Sequence, residues 1–270
     1  SCLSAGAISL VEDRYRIEKL GQVLQHDEMT RINLDFVQEI CYGGMQELEA
    51  ALIEARPAGL KVLGEWQTIY RGLRELPDDA KRAWFEFDHL YSDSAFAMAL
   101  PLVFAGKPRN LMDIGANTGK WAKRCLEFDA DVHMNLVDLP EQIGVARINL
   151  QAHAGRVDYF EVDMLDAAAA FPAGQDAIWM SQFLSCFGAD SIASILRRAA
   201  ASLHDDGRVF ILDTFWDRQQ FDIAAYCIIN TSPYFTAMAN GVSKMYRSRE
   251  YIELAAAAGL RLVDIRDGMG

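Results

Sequence analysis

From residue 111 onward, apolar residues fall in short runs, at 111–114, 132–137, 157–160, 177–180, 209–212 and 260–265. Each run is too short for a helix, so each predicts a strand. The stretches between them, 120–128, 141–152, 190–203 and 248–258, space their apolar residues as helices do. Strand and helix in strict alternation predict a mostly parallel sheet with helices on both faces, an α/β doubly wound fold.

Before residue 111 the pattern is different. Residues 7–17 alternate around Asp13 and predict a short hairpin closed by Leu20-Gly21. A long helical stretch is expected from Thr30 to Glu54, with Ile32, Phe36, Ile40, Met45, Leu48 and Leu52 forming its apolar stripe. Pro57-Ala-Gly59 breaks it. Helices are expected again over 65–73 and 78–102, the second opening after Pro77 and kinked or ended by Pro101. Residues 108–110 mark a change of regime, which divides the chain into a helical region, 1–105, and an α/β domain, 106–270.

Composition narrows the function. A net charge of −12 over 270 residues repels a phosphate backbone, so nucleic acid is not an expected partner. No apolar run spans a bilayer, so no membrane role is expected either. The five cysteines are scattered and show no metal-ligand spacing. They predict reduced thiols in a cytoplasmic protein and no bound metal. Ser1 at one end and Asp267-Gly-Met-Gly270 at the other read as the edges of a longer protein.

Candidate chemistry gathers at successive strand ends. In Asn110-Leu-Met-Asp-Ile-Gly-Ala-Asn-Thr-Gly-Lys-Trp121 an apolar strand meets Gly115, and a helix opens after Gly119. Glycine permits a sharp turn and a close ligand, and the free N–H groups of the new helix face the same cleft. The G-x-G-x-x-G pattern of dinucleotide sites is absent, Asn117 standing where a central glycine would. Asp113 lies just before the turn, placed to anchor an aminoacyl group or its ordered water. Asp138 ends the next strand, followed by Leu139, where a carboxylate accepts from both ribose hydroxyls or else caps the following helix. Asp163 and Met164 follow the third strand, placed for an adenine amino group and ring, or for a helix cap. Ser181, after the fourth strand, completes the candidate cofactor set.

These residues carry a resemblance. The stretch 111–119, Asp138, Asp163-Met164 and Ala201-Ser-Leu-His-Asp-Asp-Gly-Arg-Val-Phe-Ile211 resemble class I S-adenosylmethionine (SAM)-dependent methyltransferases. More narrowly, they resemble the dimeric small-molecule O-methyltransferases. Tyr15-Arg-Ile-Glu-Lys-Leu-Gly21 is similar to the end of that family's winged-helix domain, and 248–260 to its last helix and following strand. The resemblance implies a Rossmann-like domain behind an N-terminal helical dimerisation segment, a homodimer, SAM as cofactor and a small-molecule acceptor. It also implies a further antiparallel strand beyond the end of this sequence.

At the catalytic base this chain departs from the family. The family's Leu-His-Asp-Trp-like run is here Phe183-Leu-Ser-Cys-Phe187, with Ser185 in the histidine's place. A serine is no unassisted base at neutral pH. Asp213 matches a second family carboxylate. The third falls near Lys244-Met245, where no acid stands. His89, Asp213, Asp217 and Tyr246 are the alternative bases, and carbon in place of oxygen is an alternative acceptor atom. The acceptor pocket is expected from Tyr91, Trp216, Arg218, Tyr234, Met238 and Tyr246, since aromatics and methionines line sites for flat ligands. Three other readings stand beside methyl transfer: a different SAM-dependent reaction, a non-catalytic dimeric binding protein, and a nicotinamide oxidoreductase.

Overall fold

The computed structural model describes residues 1–268; Met269 and Gly270, the last of the expected C-terminal edge, lie outside it. The chain opens on an antiparallel hairpin of β1 (Ile8–Val11) and β2 (Arg14–Ile17), with Glu12 and Asp13 both left-handed at the turn. This is the twist a two-residue hairpin loop needs. The helix Lys19–His26 follows it, where Leu20-Gly21 reads only as a hairpin end.

The expected long helix over Thr30–Glu54 is broken into pieces. Glu28–Phe36 runs on through a wide turn at Val37–Cys41, and after Gly43-Gly44 the chain restarts at Met45–Glu47 and Leu48–Glu54. Gly44 is pressed against Gly59 and the sulfur of Met238, where any Cβ would overlap both. Close packing at that point outweighs helical continuity. The helix expected over 65–73 shrinks to Ile69–Gly72. The one expected over 78–102 is two, Asp78–Asp93 and Phe96–Val103, and Pro101 sits inside the second without ending it.

The α/β part follows the apolar pattern closely. Strands β3 (Asn110–Ile114), β4 (His133–Asp138), β5 (Val157–Glu161), β6 (Gln175–Ser181) and β7 (Leu203–Leu212) form one parallel sheet in the order β5-β4-β3-β6-β7. Side-chain alternation splits the core in two. Leu111, Met134, Leu136 and Trp179 face Trp121, Ala122, Cys125 and Leu126 of the helix Lys120–Phe128. Met112, Ile114, Val137, Ile178 and Met180 face Ile192, Ile195, Leu196 and Ala199 of the helix Ala189–Ser202. Both helices bury one stripe at three- and four-residue spacing.

A sixth strand over 260–265 does not form, and residues 261–268 are exposed. An extended segment gains its stability from a neighbour's hydrogen bonds, and none of the described residues pairs with this one. A third core joins the helical region to the second half of the chain: Phe36, Ile40, Leu60, Ile69 and Leu73 pack with Tyr234, Phe235 and Met238. No helix among the described residues is long and apolar enough to cross a membrane.

Candidate functional site

The sheet order reverses at β3: the chain moves outward through β4 and β5, then returns to place β6 and β7 on the other side. Loops leaving strands at such a point diverge and open a crevice at the carboxyl edge. Here the crevice is a cleft of about 410 Å³. Its floor is the strand ends, and its far wall comes from the helices Ile69–Gly72 and Asp78–Asp93.

Local backbone geometry explains the loop after β3. Gly115 has φ +79°, and a Cβ there would overlap the ring of Phe183. Asn117 is left-handed at φ +48°, and its N–H donates to Asp138 Oδ2 at 2.8 Å. Gly119, at φ +80°, opens the helix Lys120–Phe128 and packs on Leu150 without lining the cleft. Asp138 Oδ1 accepts from the N–H of Leu139 at 2.7 Å. The two backbone donors fix this carboxylate at the end of β4, and burial pushes it up to about 6. Asp113 is 2% exposed, and burial, reinforced by Asp138, holds its carboxyl well above the ordinary range. Asp163 accepts from the N–H of Leu165 at 3.0 Å and pairs with Arg71 across the cleft. Arg198 clamps the same loop by donating to the carbonyl of Met164 at 2.7 Å.

Unsatisfied polar atoms mark the cleft. Among the described residues, seven buried side-chain atoms lack a partner: Tyr70 Oη, Asp113 Oδ2, Asn117 Oδ1, Thr118 Oγ1, Trp121 Nε1, Trp179 Nε1 and Ser181 Oγ. All seven residues line this one cleft. A buried polar group without a partner costs roughly 1–3 kcal/mol, so folded proteins rarely leave several together unless a ligand completes them. The set holds acceptors for an ammonium and for hydroxyls, beside the ionisable Asp138, and it fits an aminoacyl nucleoside such as SAM. Among the described residues no cluster of His, Cys, Asp or Glu has the arrangement of a metal site.

Of the sequence-derived cofactor residues, the structure brings Asp113, Gly115, Asn117, Asp138, Leu139, Asp163, Met164 and Ser181 to the cleft. His89 lines it too. The other candidate bases do not. Ser185 is buried with its N–H 3.4 Å from Asp213 Oδ2, and Asp213 also accepts from Tyr251 Oη and the N–H of Thr214, both at 2.8 Å. Burial pushes Asp213 up to about 6. Neither residue lines the cleft. Cys186 does, with its thiol pushed up to about 12 by burial. Asp217 is spent capping the helix Ser248–Ala257, accepting from Ser248 N–H at 2.8 Å.

None of the six expected acceptor-pocket residues lines the cleft in this chain. Tyr91 bonds Asn33, Trp216 lies under Arg247, and Arg218 forms an ion pair with Asp267. Tyr234 accepts from Trp84 Nε1, Met238 fills the space beside Gly44, and Tyr246 donates to the carbonyl of Phe187. Of the six, Tyr234, Met238 and Tyr246 are buried in the core. The cleft is lined also by Tyr70, Trp84, Asp88, Phe183, Phe187 and Asn240. Asp88 is the residue before His89 in the sequence, and that adjacency was the available signal.

A parallel sheet whose acidic strand ends meet a cleft of unpartnered polar atoms at its switch point defines a SAM-dependent methyltransferase. Residues 95–261 match the O-methyltransferase domain family, and the chain belongs to it. A relative in sequence is the L-tyrosine C(3)-methyltransferase of Streptomyces lavendulae, 22% identical over 261 residues, covering 95% of this chain and 70% of that protein. In fold the chain is similar to the mitomycin 7-O-methyltransferase MmcR, at a TM-score of 0.71 and 18% identity, covering 96% of this chain and 75% of that one. It is similar also to NcsB1, an O-methyltransferase from neocarzinostatin biosynthesis solved with SAM and 2-hydroxy-5-methyl naphthoic acid. There the TM-score is 0.67 at 20% identity, covering 97% of this chain and 78% of that one.

Proposed function

We propose that this protein transfers the methyl group of SAM to the oxygen or ring carbon of an aromatic or polyketide-like small molecule. The observation that carries the reading is the gathering of all seven unpartnered buried polar atoms in one cleft at the switch point. In it, Asp138 accepts from the ribose hydroxyls, Asp163 and Met164 hold the adenine, and Asp113, Asn117 and Ser181 take the aminoacyl end. Bound there, SAM supplies an electrophilic methyl on a sulfonium. The chain supplies alignment, which in well-oriented reactions is worth roughly 7–11 kcal/mol of barrier. Phe183, Phe187 and Trp84 give the acceptor ring apolar walls. Carbon as the acceptor atom is supported by the S. lavendulae relative, whose name places its methyl on a ring carbon.

The working unit in this reading is a homodimer in the cytoplasm. The hairpin β1–β2 is the remnant of a winged helix, and the helical region is the dimerisation segment. The five free thiols suit a reducing compartment.

The test has two parts. Incubation with methyl-labelled SAM and a panel of phenols should yield a labelled product; strong SAM binding with no product across the panel overturns the methyl reading. In calorimetry, Asp138→Ala should weaken SAM about tenfold or more, since two hydrogen bonds of about 1 kcal/mol each are lost. Unaltered affinity would remove Asp138 from the cofactor site.

A further inference from the structure

Two carboxylates in the cleft, Asp88 and Asp93, have no part in the proposed cofactor site. Asp88 lies near the end of the helix Asp78–Asp93, and its Oδ2 accepts from Asn117 Nδ2 at 2.9 Å. Among the described residues nothing else donates to it. Asn117 thus spans two parts of the site, its backbone on Asp138 and its amide on Asp88. That bridge places Asp88 one residue away from the cofactor cradle, on the wall that faces it.

The neighbours of Asp88 separate it from its companion carboxylate. Burial works to raise Asp93, but His89 and Lys120 overrule it and hold it at about 2, with Lys120 Nζ 2.7 Å from Asp93 Oδ2. Among the described residues Asp88 has no lysine partner and meets only the ring of His89, whose Nδ1 lies 3.9 Å from its Oδ2. Burial pushes it up to about 6, against the pull of His89, Asn117 and Lys120 and with the help of Asp93. Across the cleft its charge is felt by Tyr70, Asp138, Cys186 and Tyr234. Asp88 and Asp93 both line the cleft, five residues apart on one helix. Lys120 holds Asp93, while Asn117 is the one hydrogen-bond donor to Asp88 among the described residues, which leaves its carboxylate able to accept a proton from a ligand.

The rival bases are placed elsewhere. Ser185 and Asp213 do not line the cleft. His89 does, and it also borders a second opening at the surface with Arg74 and Lys81, its Nδ1 lying 3.7 Å from Asp93 Oδ1. Asp88 lines the cleft together with the aromatic side chains of Tyr70, Trp84 and Phe183.

We propose that Asp88 takes the proton from the acceptor hydroxyl, in the place the family gives to a histidine. The proposal rests on the methyl-transfer reading above. The acceptor O–H bond breaks and its proton passes to a carboxylate oxygen of Asp88. The freed electron pair forms the new bond to the methyl carbon, from oxygen or, through the ring, from the carbon ortho to it. The methyl–sulfur bond breaks with its pair left on sulfur, giving the neutral thioether. In the carbon case the ring hydrogen then moves to the oxygen and restores the phenol. Asp88 returns its proton to water at the rim.

The experiment compares wild type with Asp88→Asn, an isosteric change that keeps a partner for Asn117. The probes are methyl-labelled SAM with L-tyrosine, 1,2-dihydroxybenzene and a hydroxynaphthoic acid. Expected are an unchanged SAM dissociation constant, a transfer rate about 10²-fold lower or more, and loss of the acid limb near pH 6 in kcat/KM. Should the asparagine variant misfold, Asp88→Ala with added formate gives the same information, and partial return of transfer is expected. A wild-type rate and pH profile in Asp88→Asn, or no return with formate in Asp88→Ala, overturns the assignment. A loss of SAM affinity in step with the rate also overturns it, because Asp88 then holds the cofactor. No transfer by wild type to any probe, with SAM bound, removes the methyl reading itself and this assignment with it.

Discussion

Asp138 shows how one side chain can answer to two equilibria of opposite sign. Its carboxyl in the ligand-free fold is raised to about 6 by burial, above the ordinary value of 3.8. The folded state therefore binds its proton more tightly than the unfolded chain does. Its contribution to stability falls as pH rises from 3.8 through about 6. Ligand binding runs the other way, because ribose hydroxyls need the ionised acceptor. SAM affinity should be full above about 6 and fall as pH drops below it. Calorimetry at pH 7.5 and 5.5 should show that loss in wild type and a weaker affinity with a smaller pH dependence in Asp138→Asn, where the raised carboxyl of Asp113 remains; equal pH dependence in both would assign the titration elsewhere. Asp113, Asp138 and Asp163 were legible in the sequence because each directly adjoins a strand end, so local pattern and position agree. Asp88, Tyr70 and Trp84 were not, since they reach the cleft from helices whose packing no local pattern reveals. Tyr234, Met238 and Tyr246 lie outside the cleft for a related reason: an apolar or aromatic side chain declares that it is buried but not against what.

At the scale of elements, the turn after β3 is the most constrained piece of backbone in the site. Gly115→Ala adds a methyl where φ is +79° and where the Phe183 ring already sits. It should cost about 1–3 kcal/mol and lower the melting temperature by several degrees, with SAM affinity falling as well. Gly155→Ala is the matched control, since a Cβ there meets nothing within 4 Å. If scanning calorimetry gives both variants the wild-type transition, the turn is not under that constraint. The central strands β3, β4 and β6 could be read from the sequence because burial on both faces writes itself as mostly apolar residues, and the edge strands β5 and β7 from their shorter apolar stretches. The run at 260–265 carries the same signature and forms no strand. An apolar run states a capacity for pairing, and the neighbour that would use it is a separate matter. The break at Gly43-Gly44 was hidden for a similar reason, its cause being Gly59 and Met238 far along the chain.

The whole molecule leaves much apolar surface uncovered in its first 55 residues. Leu10, Val11, Tyr15, Leu34, Val37, Leu52 and Ile53 are all exposed. A lone soluble chain seldom presents so much of it in one region, and a second copy is the partner the dimer reading supplies. Sedimentation velocity should give twice the mass of the 30.2 kDa chain, and Ile53→Glu should shift it toward the monomer. A wild-type monomer at micromolar concentration would sink the dimer.

The core shared by Phe36, Ile40 and Leu60 with Tyr234, Phe235 and Met238 has a practical consequence for engineering. Grafting the first hundred residues of a relative onto this domain, to borrow its acceptor preference, would mate two surfaces that never grew together. A working chimera has to transplant the stretches Ser232–Tyr234 and Phe235–Ala239 along with the N-terminal helices, as one discontinuous cassette.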